Sequence, residues 1–237
     1  MLPGKVVMIT GASRGLGRAL AQAYAKEGAS LVINSRSEES IRPVAEEAES
    51  SGAEVLALAA DVSRGAEVEK LVDGAVQRFD RIDVLVNNAG LLGPRVPIEE
   101  YPEEEWRRVL DANLTASFLL TKAVIPHMPE GGSIVNVTSG VSVEGRAEWG
   151  AYSVSKFGVE GLTQILAAEL RDRGIRANSV DPGGMRTEMR AAAYPDEDPT
   201  TRITPEENTA VFLYLASDES RDVTGERFKA QEFQQTR

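Results

Sequence analysis

A chain of 237 residues is long enough to bury a sizeable core, and its 26 Lys and Arg against 37 Asp and Glu leave a net charge of −11, the wrong sign to favour nucleic acid or an anionic membrane surface as partner. The absence of cysteine excludes disulfides, thiol catalysis and thiolate metal sites. No apolar run approaches the roughly 18 residues of a membrane span, and the N-terminus lacks a basic region followed by an apolar core, so the expectation is a cytoplasmic protein acting on a small molecule. No linker or repeat divides the chain, which reads as one domain over 1–237.

KVVMIT predicts a first strand, and TGASRGLG follows it, with Gly11, Gly15 and Gly17 leading into a helical pattern over 15–27. Three residues separate Gly11 from Gly15, unlike G-x-G-x-x-G, so the stretch alone fits either a phosphate-approaching loop or a plain turn. SLVIN predicts the second strand, running into Asn34, Ser35 and Arg36, and Ser35 with Glu38 fits a capping box opening a helix over 38–51. EVLALAAD, ending at Asp61, a helix over 64–79 and IDVLVNNAG, ending in Asn87, Asn88, Ala89 and Gly90, continue the alternation. A long helix over 103–127 carries Asn113 and ends at His127, the sole histidine, which is expected to be structural or solvated. SIVNVTS predicts a strand closing on Ser139, a helix over 150–172 carries Tyr152 and Lys156, and IRANSVDPG leads into DPGGMRT. The acidic, proline-broken stretch 188–202 fits a loop, either a lid or a surface connection. Thr204, ahead of Pro205 and Glu207, marks the start of a last helix, and RFKAQEF reads as a short last strand.

The strand patterns are nearly continuous in Val, Ile, Leu and Ala, as in sheets covered on both faces. Their alternation with helices implies right-handed crossovers, a parallel sheet and an α/β doubly wound fold. Ligands of such folds sit beyond the carboxyl ends of the strands, near the topological switch point, and the polar motifs all follow strands.

Several of these motifs carry chemistry. Backbone N–H groups of TGASRGLG would point beyond the sheet edge, with Gly11 free to turn, Gly15 letting an anion approach and Gly17 letting the helix pack closely. In YSVSK the spacing of four places the Tyr152 phenol and the Lys156 ammonium on one helix face. Bringing a phenol from near 10 to about 7 requires ~4 kcal/mol of preferential phenolate stabilisation, and an ammonium has the right sign to supply it. Ser139, thirteen residues before Tyr152, can donate to the same substrate oxygen from the strand end. Asn113 is unfavourable within a helix by propensity, so its amide either satisfies a structural backbone group or helps to hold water.

The ordered set TGASRGLG, Asp61 with Val62, NNAG, Asn113, Ser139, YSVSK and DPGGMRT resembles the classical short-chain dehydrogenase/reductase family, over about residues 4 to 226. The resemblance implies a single Rossmann-type domain, a nicotinamide dinucleotide, carbonyl/alcohol oxidoreduction and usually a homotetramer, with no metal expected because hydride transfer is the cofactor's chemistry. It implies that Tyr152 is the general acid or base, that Lys156 lowers its pKa and bonds the nicotinamide ribose, that Ser139 polarises the substrate oxygen and that Asn113 positions a water. Cofactor contacts are implied for Gly11, Ser13, Arg14, Gly15, Leu16 and Gly17 of the loop, for Asp61 and Val62 at the adenine, and for Asn88, Ala89 and Gly90. Pro182 and Gly183 would line the nicotinamide pocket, where Thr187 would bond the carboxamide. Many relatives end in a glycine-rich segment, whereas this chain ends VTGERFKAQEFQQTR, which leaves the usual subunit contacts and any substrate wall there open.

NADP is expected over NAD, although NAD fits the same motifs. No carboxylate follows the second strand where an NAD site commonly has one; Ser35 and Arg36 stand there, and Arg14 could reach the same 2′-phosphate. The substrate is expected to be a small carbonyl or alcohol with an apolar group, beside Leu91, Leu92, Val141, Trp149, Met185 and Tyr194. A dinucleotide-binding regulatory protein without turnover is the alternative from a different class. Val154, Phe157, Val159, Leu162, Ile165 and Leu166 exceed one core-facing stripe, so a homo-oligomer, dimer or tetramer, is expected.

Overall fold

The structure, a computed structural model, describes residues 1–234. The predicted strands are all formed: β1 (Val6–Ile9), β2 (Ser30–Ser35), β3 (Val55–Ala59), β4 (Val84–Asn87), β5 (Ser133–Val137), β6 (Arg176–Asp181) and β7 (Arg227–Lys229). Among the described residues they make one parallel sheet of seven strands in the order β3-β2-β1-β4-β5-β6-β7. Their apolar residues alternate between two core layers, as the period of two requires. Val7, Ile9, Leu31, Ile33, Val84 and Val86 pack with α1 (Gly15–Lys26), α2 (Glu38–Ser50) and α8 (Ala210–Ala216). Val6, Met8, Val32, Leu85 and Ile134 pack on the opposite face with α3 (Gly65–Phe79), α5 (Ala116–Val124) and α6 (Gly150–Glu169). The result is the doubly wound, Rossmann-like α/β fold. Its order reverses at β1, which pairs with β2 on one side and β4 on the other, so the crevice opens between the loops that follow β1 and β4.

Four local expectations are corrected. The cap of α2 is Ser37, whose hydroxyl accepts from the Ser40 N–H; Ser35 lies within the strand and turns its hydroxyl to the Ser37 carbonyl (2.7 Å) and to Ser40 Oγ (2.8 Å). The helix over 103–127 is continuous but irregular. α4 (Glu103–Leu110) passes into a π-helical turn, Asp111–Thr115, before α5 and a closing 3-10 turn, Ile125–His127. A stretch of 18 residues within Glu103–His127 is apolar enough to pass for a membrane span by length and composition alone; here Ala116, Leu120 and Val124 bury its apolar face in the core. The stretch 188–202 contains a helix, α7 (Glu188–Ala193), because Thr187 caps it by accepting from the Arg190 N–H (3.2 Å). The Thr204 signal is formed as a contact, its N–H donating to Glu207 (2.7 Å), but regular helix starts only at Ala210 after a 3-10 turn, Glu206–Asn208. His127 is half-buried, and its carbonyl accepts from the Ile82 N–H.

Candidate active site

The glycine loop is tight for reasons visible in its neighbours. Gly11 has φ +64°, and a Cβ there would lie 2.9 Å from Ala89 Cα; a Cβ on Gly17 would lie 2.3 Å from the Gly11 carbonyl oxygen and 2.6 Å from Asn88 Nδ2. Asn88 makes the two loops at the switch point one piece. Its amide donates to the carbonyls of Thr10 (2.9 Å) and Gly11 (3.1 Å), and the N–H groups of Asn88 and Ala89 both donate to Thr10 Oγ1. Across the cleft, a Cβ on Gly15 would meet Thr187 Cγ2 at 3.5 Å, so this glycine faces α7. Ser13 is half-buried, whereas Leu16 and Val62 are core residues in opposite layers, which leaves only their main chains for any ligand.

The residues expected at a 2′-phosphate are not assembled as one group. Ser35 is buried and its hydroxyl is occupied at the start of α2. Arg36 is exposed and lies near Asp61, whose carboxyl is lowered by the Ser63 hydrogen bonds and by Arg64 and Arg36, against the effect of burial. Arg14, at the N-terminus of α1, forms an exposed ion pair with Glu188 of α7. A 2′-phosphate would therefore compete with Glu188 for the Arg14 guanidinium.

Ser139, Tyr152 and Lys156 are brought together where β5 ends against the first turns of α6. The Ser139 side chain lies close enough to the Tyr152 phenol to favour its ionised form, and Lys156 Nζ lies 5.8 Å from the centre of the phenol ring. Burial dominates the ionisation of both. The phenol is pushed up to about 12, the Ser139 side chain lowering it and the Asp181 charge raising it further. The Lys156 ammonium is pushed down to about 8 by burial, with Glu160 opposing. The Lys156 ammonium donates to the Val137 carbonyl (2.8 Å). Asn113, fully buried in the π-helical turn, resolves its two alternatives in favour of the backbone. Its Oδ1 accepts from the Leu91 N–H (2.7 Å), and its amide donates to the Leu91 carbonyl (3.0 Å) and to Ser155 Oγ (2.9 Å), so both amide protons are engaged. Gly90 is wedged between these groups: a Cβ there would lie 3.2 Å from Asn113 Oδ1 and 3.8 Å from Lys156 Nζ.

This geometry agrees with sequence comparison. The short chain dehydrogenase model matches residues 5–198. The chain belongs to the short chain dehydrogenase family. It is 39% identical over 238 residues to the uncharacterized oxidoreductase YciK of Escherichia coli K12, covering 98% of this chain and 93% of the relative. It is 38% identical over 236 residues to the 3-oxoacyl-[acyl-carrier-protein] reductase FabG of Thermotoga maritima, covering 95% of each. A short chain dehydrogenase structure from Shigella flexneri 2a, complexed with NADP, superposes with a TM-score of 0.91 at 39% identity, covering 97% of this chain and 98% of that one.

In this member of the family, the apolar wall beside Tyr152 is aromatic. Trp149 lies 5.6 Å from Tyr152 and 6.1 Å from Tyr194 between ring centroids, and Val141, Ala193, Leu91 and Leu92 join the same cluster. Met185 does not: it packs in the layer of α1 and α8 and its sulfur accepts from Asn208 (3.1 Å), because the bridge to Ile203 turns it away from the aromatic cluster. Sequence reasoning missed what holds the wall and the Pro182 loop. Arg95 donates to the Ala193 carbonyl (2.6 Å) and stacks 4.7 Å over Trp149, and so ties α7 down over the site. Asn208 and Gln231 both donate to the Pro182 carbonyl, and Gln231 also to that of Gly184. None of these residues stands in a recognisable spacing; a polar residue within an otherwise apolar pattern, such as Asn208 ahead of AVFLYLA, was the only available signal.

Proposed function

We propose that this dehydrogenase is an NADP(H)-dependent oxidoreductase that interconverts a small-molecule carbonyl and its alcohol. The observation carrying the reading is the placing of Tyr152 in a buried, aromatic-walled cluster, with Ser139 beside it and the Lys156 ammonium 5.8 Å from its ring centre. The chain's own residues fit the cofactor. The positive-φ glycines leave N–H groups at the start of α1 free of side chains, and Gly15 and Gly90 bound spaces that a Cβ would narrow. Bound NADPH supplies the hydride, and the protein supplies position and electrostatics. The NADP complex of the Shigella relative supports the choice of dinucleotide, as do Arg14 and Arg36 and the absence of a carboxylate at the end of β2.

A phenol held up near 12 is protonated at neutral pH, so Tyr152 is ready to donate to a developing alkoxide, while Ser139 hydrogen-bonds the same oxygen. In the reverse direction Tyr152 must accept the proton. Movement of the Lys156 ammonium from the Val137 carbonyl toward a ribose and the phenol would provide the stabilisation. Val141, Trp149 and Tyr194 favour a carbonyl flanked by an apolar group. Phe118 on α5 and Val154, Phe157 and Ile165 on α6 are exposed, a second apolar face for which a further copy of this chain is the proposed cover.

The test is a panel of aldehydes and ketones with saturating NADPH, followed by loss of nicotinamide absorbance. Turnover with NADPH exceeding that with NADH is expected. NADPH binding with no turnover of any member would instead favour a regulatory protein.

A further inference from the structure

Next to Ser139 lies a group of largely buried charges that the roles above leave unused. Glu160, one turn beyond Lys156 on α6, meets the hydroxyls of Thr138 (2.7 Å), Ser142 (2.9 Å) and Ser179 (2.7 Å), and accepts from Arg227 Nε (3.1 Å). Arg227, on β7, also donates from Nη2 to Asp181 Oδ2 (2.9 Å) and to the Ser139 carbonyl (3.2 Å). Asp181 in turn accepts from the Gly183 N–H (2.9 Å), at the loop expected to line the nicotinamide pocket. The Ser139 residue is thus held at both main-chain polar groups. Its N–H donates to Thr138 Oγ1, its carbonyl accepts from Arg227, and both partners meet at Glu160.

The side chains of Glu160, Asp181 and Arg227 are 13%, 9% and 21% exposed. Ion pairs this sheltered add little net stability relative to an apolar core, since desolvation offsets their attraction. What they do impose is geometry, through directed and charge-assisted hydrogen bonds. We propose that Arg227, Glu160 and Asp181 form a positioning network for the reaction centre, which fixes the Ser139 main chain and the Gly183 loop relative to Tyr152 and balances the charge around the phenol and the Lys156 ammonium. The proposal rests on the assignment of Ser139, Tyr152 and Lys156 above.

Lys156 on its own helix and Asp181 from β6 are the charges that act on the phenol, while Arg227 from β7 pairs with Asp181, and Arg95 stacks on Trp149, whose ring lies beside the phenol. Asp181 raises the phenol and Glu160 raises the ammonium, with Arg227 between the two carboxylates. Removing the cation and removing one anion therefore act in opposite directions, which a merely structural role would not produce.

The test uses the full chain and the carbonyl/alcohol pair turned over fastest in the panel. Arg227→Met is expected to lower kcat by about ten- to a hundredfold, as displaced reacting groups do. It should also move the pH midpoint at which alcohol oxidation rises to a higher value, while NADPH affinity, read by fluorescence, stays within about threefold. Glu160→Gln should move that midpoint lower. Arg227→Lys should restore the midpoint but not the full kcat, because one ammonium cannot span both carboxylates and the Ser139 carbonyl. A folded Arg227→Met variant with wild-type kcat and pH profile overturns the proposal, and so do midpoints that move the same way in Arg227→Met and Glu160→Gln. If Arg227→Met does not fold, the shape-preserving Glu160→Gln decides: wild-type kcat with an unmoved midpoint overturns the network. Tyr152→Phe and Ser139→Ala are measured alongside. Retained turnover in those two defeats the site assignment itself, whereas their loss of turnover beside unaffected network variants defeats only the network.

Discussion

Replacing Gly17 by Ala sets two effects of opposite sign against each other. At an open helical position the change stabilises by about 1 kcal/mol, since alanine is the better helix former. At Gly17 the new Cβ would lie 2.3 Å from the Gly11 carbonyl oxygen, 2.6 Å from Asn88 Nδ2 and 2.9 Å from Ala12 Cα. The first contact is about 1 Å inside a normal van der Waals separation, and two of the three involve backbone, which cannot rotate away. Overpacking of this kind costs about 1–3 kcal/mol. Displacing the Asn88 amide from the Thr10 and Gly11 carbonyls removes two hydrogen bonds worth roughly 1 kcal/mol each. The net expectation is a loss of roughly 2–4 kcal/mol, or a Tm lowered by roughly 5–15 °C for a chain of this size. NADPH binding should weaken with it, because the same displacement opens the loop. The control is Gly65→Ala at the start of α3, where a Cβ meets nothing within 4 Å and stability should hold or rise by up to about 1 kcal/mol. Calorimetry of both variants and fluorescence titration with NADPH give the answer. A Gly17→Ala protein that melts at or above the wild-type temperature would refute the steric account of this loop.

Tyr152→Phe removes one hydroxyl from a buried site and should lower turnover by roughly 10²-fold or more with near-normal NADPH affinity; wild-type turnover would rule out the proton-transfer role. Arg36→Asp should shift kcat/KM toward NADH, because a carboxylate can bond a ribose hydroxyl and repels a 2′-phosphate; an unchanged preference would count against the 2′-phosphate assignment. Glu197 accepts from Arg190 and Arg202, which hold its carboxyl well below its ordinary 4.5, at about 2. A lowered folded-state value means that its stabilising contribution is present above 4.5 and is lost as pH falls through about 2, so pepsin should cut within 188–202 increasingly over that interval. Glu197→Gln should be cut readily throughout, and identical cleavage of the two proteins would discount the pairing. Light scattering at micromolar concentration should give an oligomer, and Phe157→Glu, which places a charge on the exposed face of α6, should give a smaller species; a monomeric wild type would contradict the proposed cover.

The amino-acid sequence by itself determined the layered α/β fold, because strand and helix periodicities are local and each strand's apolar residues feed both layers: Val6 with Met8, and Val7 with Ile9, separate by parity alone. It also placed Ser139, Tyr152 and Lys156 near one another, since a strand end and the helix that follows must meet at the same sheet edge. Tertiary structure alone decided what each group's surroundings make of it. Burial pushes the Tyr152 phenol up, and the Lys156 ammonium is bonded to the Val137 carbonyl. The Asn113 amide is engaged by Leu91 and Ser155, partners 22 and 42 positions away along the chain. Met185 and Ser35 turn away from the positions expected of them because a bridge to Ile203 and the start of α2 claim them. Arg227 lies 88 residues beyond Ser139, yet its guanidinium reaches that carbonyl across β6. Such contacts follow from the order in which strands pair, and no spacing within the sequence encodes them.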